Sequence, residues 1–170
     1  CWVLAPLNYS LQFAQEQKPT DFLQIKNLKG DRGGNIALAV NADPSSFNRM
    51  MASGLPGITI TDRLSADLVH VNRTSMLLEP SLATHWELDR SGRTYTLHLR
   101  RGVRFSDNSP FTADDVLFTF QALTDPKTEC PLAGQIETDG AFPSVKKLND
   151  FTVQLSFQHP IGMGLRMLDS

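Results

Sequence analysis

Polar and apolar residues alternate most cleanly over residues 94–100, where Tyr95, Leu97 and Leu99 point one way and Thr96, His98 and Arg100 the other. That period of two predicts a half-buried strand. A second run, residues 85–88, precedes it across Asp89-Arg90-Ser91-Gly92-Arg93, a loop with glycine where a hairpin needs it. Residues 151–157 alternate again and end at His159-Pro160. A different pattern, Val116, Phe120 and Leu123, is helical; Thr112 is placed to cap that helix, with Asp114 and Asp115 in its first turn, and it stops near Thr124-Asp125-Pro126. Between strand and helix, Ser106-Asp107-Asn108-Ser109-Pro110 is a turn in which Asn108 tolerates a left-handed backbone.

Residues 35–40 form a short apolar run closed by Asn41-Ala42-Asp43-Pro44, which predicts a strand buried on both faces, as in a mixed or parallel sheet. Residues 45–60 and 127–145 are rich in Ser, Gly and Pro and predict loops. Asp62 is placed to cap a further helix with Leu64, Leu68 and Val71 on its inner stripe. Residues 15–34 are a polar lead-in.

Composition narrows the function. The chain of 170 residues is 41% hydrophobic and 20% charged, with a net charge of −2, and offers no basic face for nucleic acid. No apolar run reaches the length of roughly 20 residues that a membrane span needs. Cys1 and Cys130 make neither a disulfide framework nor a zinc site, and Cys130 is read as a lone thiol near a turn. Residues 2–7 are apolar and the sequence turns polar after Ala14, which fits the end of a secretory signal and equally an ordinary amphipathic segment. Asn8-Tyr9-Ser10 and Asn72-Arg73-Thr74 match the glycosylation triplet, a pattern that arises often by chance.

Catalytic motifs are lacking. His70, His85, His98 and His159 are too far apart in sequence for a local metal motif and are read as surface or hairpin residues. Asp114 and Asp115 are explained by a helix start, and no nucleophile elbow, phosphate loop or dinucleotide fingerprint occurs. The expectation is a binding protein without a cofactor, not an enzyme.

Four motifs in order carry a resemblance: Leu82-Ala83-Thr84-His85-Trp86-Glu87, Tyr95-Thr96-Leu97-His98-Leu99-Arg100, Asp107-Asn108-Ser109-Pro110 and Thr112-Ala113-Asp114-Asp115-Val116. Together they resemble the signature region of family 5 solute-binding proteins, which serve ABC importers of peptides, nickel chelates and some sugars. The likeness extends over about residues 33–165. Two departures stand out: Asn108 replaces a turn glycine, and Arg49 stands where the family often has proline after Phe47-Asn48.

The resemblance implies a periplasmic-binding-protein-like α/β fold (type II, two lobes closing on ligand), of which this chain would hold the first-lobe portion with a mixed sheet and packed helices. It implies residues 1–34 as an N-terminal extension, 35–158 as the first-lobe portion with its subdomain, and 159–170 as the start of a return to the lobe core. It implies a monomer in the periplasm or at the extracytoplasmic face of the membrane, taking a peptide or other small solute and delivering it to an ABC permease, with no nucleic acid as partner. The alternative it leaves is a ligand-sensing domain of a cytoplasmic transcriptional regulator. Ligand contacts transfer to Ser53, Gly54 and Leu55 in one loop and to Leu132 in the loop after the capped helix. Trp86, Tyr95 and Phe105 are expected in the core.

Overall fold

The computed structural model describes residues 33–35, 37, 39, 42–162 and 164–169. The apolar leader, Cys1 and the Asn8 triplet lie outside that set. Of the run 35–40, residues 35, 37 and 39 are described; they are exposed and carry no strand.

The elements are helix α1 (Gly54–Thr61), strands β1 (Val69–Val71), β2 (Leu78–Pro80), β3 (Ala83–Leu88) and β4 (Thr94–Leu99), helix α2 (Ala113–Thr124), helix α3 (Ala133–Ile136), and strands β5 (Ser144–Asn149) and β6 (Thr152–Ser156). Two short 3-10 helices, Pro126–Thr128 and Gly164–Leu168, complete them. β1 and β2 form a small antiparallel pair, and the main sheet runs β3-β4-β6-β5. Tyr95, Leu97 and Leu99 are buried as the alternation requires, with Tyr95 opposite Leu155 and Leu97 opposite Val153 on β6.

The α/β class stands, with pairing that is antiparallel rather than mixed among the described residues. β4 and β5 nevertheless run in the same direction, with β6 inserted between them. Such a same-direction pair needs a long crossover, and α2 lies on that path. It therefore rests on β5 and β6, burying Val116 and Phe120 against the sheet. The Thr112 backbone N–H donates to Asp115 Oδ2 at 2.7 Å, and Thr112 Oγ1 accepts from the Asp114 N–H at 3.3 Å, so the start of α2 is capped as expected. Asn108 has φ 73° and closes the 105–109 turn through a bond from its N–H to the Phe105 carbonyl.

Three expectations are overturned. The helix expected after Asp62 instead ends there: α1 occupies Gly54–Thr61 with Asp62 as its C-cap, and Val71 lies in β1. Pro56 did not forbid this, because a first-turn residue has no intrahelical N–H bond to lose. Residues 127–145 are not one loop, since they hold α3 and the first two residues of β5. β5 escapes notice because it is an edge strand whose lysines, Lys146 and Lys147, break its apolar pattern. Phe105 is 46% exposed and only touches the core edge-on, its ring 6.0 Å from that of Phe111, while Trp86 is half-buried. Both stand at the margin of the core, Phe105 on a turn and Trp86 on an edge strand, where one face stays in water.

Leu165, in the C-terminal 3-10 helix, is fully buried in the same cluster as Leu97, Leu155 and Val69. Ile161, Met167 and Leu168 pack against the same core from this end of the chain.

Candidate functional site

A groove of about 610 Å³ opens between the turn before α1, the 103–111 turn, α2, α3 and the C-terminal 3-10 helix. Its wall is largely apolar: Leu64, Leu68 and Leu82 from the segments around β1, Val116, Phe120 and Leu123 from one face of α2, and Met167 from the C-terminal segment. The helical period of α2 explains the arrangement, since the stripe that covers the sheet continues into the groove. Leu132, the residue preceding α3, is one of its lining residues.

Ser53, Gly54 and Leu55 do not line this groove. They sit at the start of α1, exposed, with Leu55 77% exposed and Gly54 at φ +73°. The fold therefore does not bring the two halves of the expected contact set to one wall. Immediately before them, a turn in which Met51 and Ala52 both donate to the Asn48 carbonyl carries Arg49 and Met50 into the groove. Arg49 is a groove residue that the sequence pattern left without a role, although its replacement of proline is visible there.

Charge in the groove is mixed. Arg49 Nη2 meets Asp62 Oδ1 at 3.1 Å. The Arg104 guanidinium donates to the Asn108 carbonyl at 2.7 Å, and that of Arg63 donates to the Thr59 carbonyl. Asp115 is committed to the helix cap.

Histidines separated in sequence meet in space. His85 and His98, opposite each other on β3 and β4, stack with ring centroids 4.2 Å apart and planes 7° from parallel. His98 Nε2 is buried with no hydrogen-bond partner; Glu87 Oε1 at 3.8 Å is near enough to attract charge and too far to accept a bond. Desolvation, and next the charge of His85, push the His98 pKa down, and Glu87 opposes them. On β1, His70 Nδ1 lies 3.1 Å from Asp169 Oδ1, which also accepts the Val71 N–H at 2.9 Å, while Arg73 Nη2 meets Oδ2 at 2.7 Å. Asp67, His70 and Asp169 bring ligand atoms within 4.8 Å of one another. The carboxylate of Asp169, 3% exposed, is already neutralised by Arg73, so the cluster acts as a clasp tying the C-terminal segment to β1. His85 and His98 are hairpin residues as the sequence reading has them, and strand pairing and chain return supply the proximity that sequence spacing withholds.

Comparison with known proteins agrees with this architecture. Residues 78–169 match the family described as bacterial extracellular solute-binding proteins, family 5 middle. The chain is 36% identical over 95 residues to the periplasmic alpha-galactoside-binding protein of Rhizobium meliloti, covering 55% of this chain and 14% of that protein. It is 32% identical over 144 residues to the peptide transport periplasmic protein SapA of Salmonella typhimurium, covering 76% and 26%. Among solved structures, Haemophilus influenzae OppA in complex with RPPGFSPFR superposes with a TM-score of 0.65 at 25% identity, covering 75% of this chain and 27% of that one. The chain thus spans about a quarter or less of the relatives it matches. No helix among the described residues is long and apolar enough to cross a membrane. The matched segment runs from β2 to the clasp and includes the four ordered motifs, and on that ground the chain belongs to the bacterial extracellular solute-binding proteins of family 5.

Proposed function

We propose that this chain is part of a solute-binding protein that captures oligopeptides, or a similar small solute, outside the cytoplasm and delivers them to an ABC permease. The observation that carries the reading is the family match together with an apolar groove walled by the matched segment. Two relatives named above act in peptide transport or were solved with a peptide, which favours peptide over sugar. The regulator alternative finds no support among these relatives, which are periplasmic proteins by name. We further propose a periplasmic location, a monomeric protein, and division into an extension (1–34), a first-lobe portion (35–158) and a return segment (159–170).

Within that reading Leu132 contacts the ligand from the groove wall, while the exposed segment Ser53, Gly54 and Leu55 offers its backbone, with little side-chain bulk at Ser53 and Gly54. An extended peptide carries unpaired N–H and C=O groups that such a loop can pair. Titration of the full-length gene product with a random peptide pool tests the reading, with metal chelates and oligosaccharides as comparators. Binding of a pool member at micromolar Kd or better is expected. Silence toward peptides together with a response to another class would overturn the peptide assignment.

A further inference from the structure

Arg49 is the anomaly of the groove. Its side chain is 19% exposed and meets Asp62 through Nη2, yet Nε and Nη1 are buried with no hydrogen-bond partner. A guanidinium carries five N–H donors and keeps its proton at any physiological pH, so burying two of its nitrogens without an acceptor is costly. Native proteins keep such a group where an acceptor arrives from elsewhere, and an anion suits its charge.

The surroundings select the anion. Arg63 and Arg104 add positive charge to the same groove, which Asp67 and Asp115 only partly offset, and Asp115 is held by the helix cap rather than turned against an incoming anion. The rest of the wall is largely apolar, with Leu64, Leu82 and Leu132 among the residues that line the groove together with Arg49. A phosphate or sulfate, strongly hydrated, gains nothing from such a wall. A carboxylate matches the guanidinium fork and can be attached to an apolar body. We propose that the groove takes a monocarboxylate, its charged end on Arg49 and its apolar body along the leucines. A peptide C-terminus with a hydrophobic last residue and a medium-chain fatty acid share this chemistry. The proposal rests on the solute-binding reading above and names its substrate class.

The test is an NMR titration of the isotope-labelled chain, a method that reads millimolar affinities. The probes are N-acetyl-leucyl-leucine and its C-terminal amide, then octanoate and octanamide. Each acid should bind about tenfold more tightly than its amide, and the Arg49 Nε–H resonance should shift with the acids alone. The tighter of the two acids tells peptide from fatty acid. In Arg49→Met and Arg49→Gln the acid and amide should bind alike, at the affinity the wild type shows for the amide. Equal binding of acid and amide by the wild type overturns the carboxylate assignment while leaving solute binding intact. So does an acid preference that survives both substitutions. A groove that responds to none of the four also overturns it, and the peptide-pool titration then judges the solute-binding reading separately. Should both variants lose their fold, the wild-type Arg49 resonance decides: no shift on adding acid overturns the proposal.

Discussion

The backbone at Gly164 lies against the hydroxyl of Tyr95 so closely that a Cβ there would stand 2.9 Å from Tyr95 Oη, and its φ of +57° already strains any side chain. Gly164→Ala should therefore cost about 1–3 kcal/mol for the left-handed backbone, plus the collision. In a Tyr95→Phe background the collision is gone and only the backbone cost should remain, so a double-mutant cycle by urea melts should show coupling. Additive losses would mean that the C-terminal 3-10 helix does not dock on β4.

The stack of His85 on His98 makes stability depend on pH. The His98 pKa is lowered in the folded state relative to the ordinary value of 6.5, first by desolvation and then by His85. The unfolded chain therefore takes up the proton first. Stability should be full above that ordinary value and decline as pH falls through it toward the lower folded pKa. Urea midpoints of the wild type should drop between neutral and mildly acidic pH, and His98→Gln should flatten that drop. An unchanged slope in the variant would contradict the assignment.

Trp86 is half-buried on β3, an edge strand. Trp86→Ala should cost roughly 2 kcal/mol, about half of what a fully buried ring costs. A denaturant melt showing a loss at the full value would mean that something covers its exposed face.

The proposed function, with ligand enclosed between two lobes, carries a prediction for this chain by itself, which spans 26% of its relative SapA. A ligand held on one side keeps its other side in water and forgoes burial needed against an association cost of about 4 kcal/mol or more. Calorimetry with random peptides should show no binding tighter than about 1 mM, near −4 kcal/mol. Micromolar binding by the chain alone would rule out the two-lobe mechanism.

Leu55 is a cleaner probe of the α1 loop than Gly54, whose φ of +73° makes any side chain strained before ligand enters the question. In the full-length gene product Leu55→Glu should weaken peptide binding and leave the melting temperature unchanged, because the side chain is already in water. Unaltered affinity would remove this loop from the site.

The sequence by itself determined the elements whose cause is local. The 89–93 hairpin loop, the Tyr95-Leu97-Leu99 alternation, the left-handed Asn108 and the Thr112 cap each depend on residues a few positions apart, and all are found. The ordered motifs that mark the family are legible for the same reason. The tertiary structure decided whatever depends on distant partners. β5 is a strand because β6 offers it a ladder, although its lysines obscure the pattern; α1 forms over a stretch that local propensity reads as loop. The His85–His98 stack, the Asp169 clasp and the placing of Arg49 and Leu132 on one groove join residues that no spacing rule connects. Periodicity reports which face of an element is apolar, but which other element meets that face is set by packing of the whole chain, and the groove exists only there.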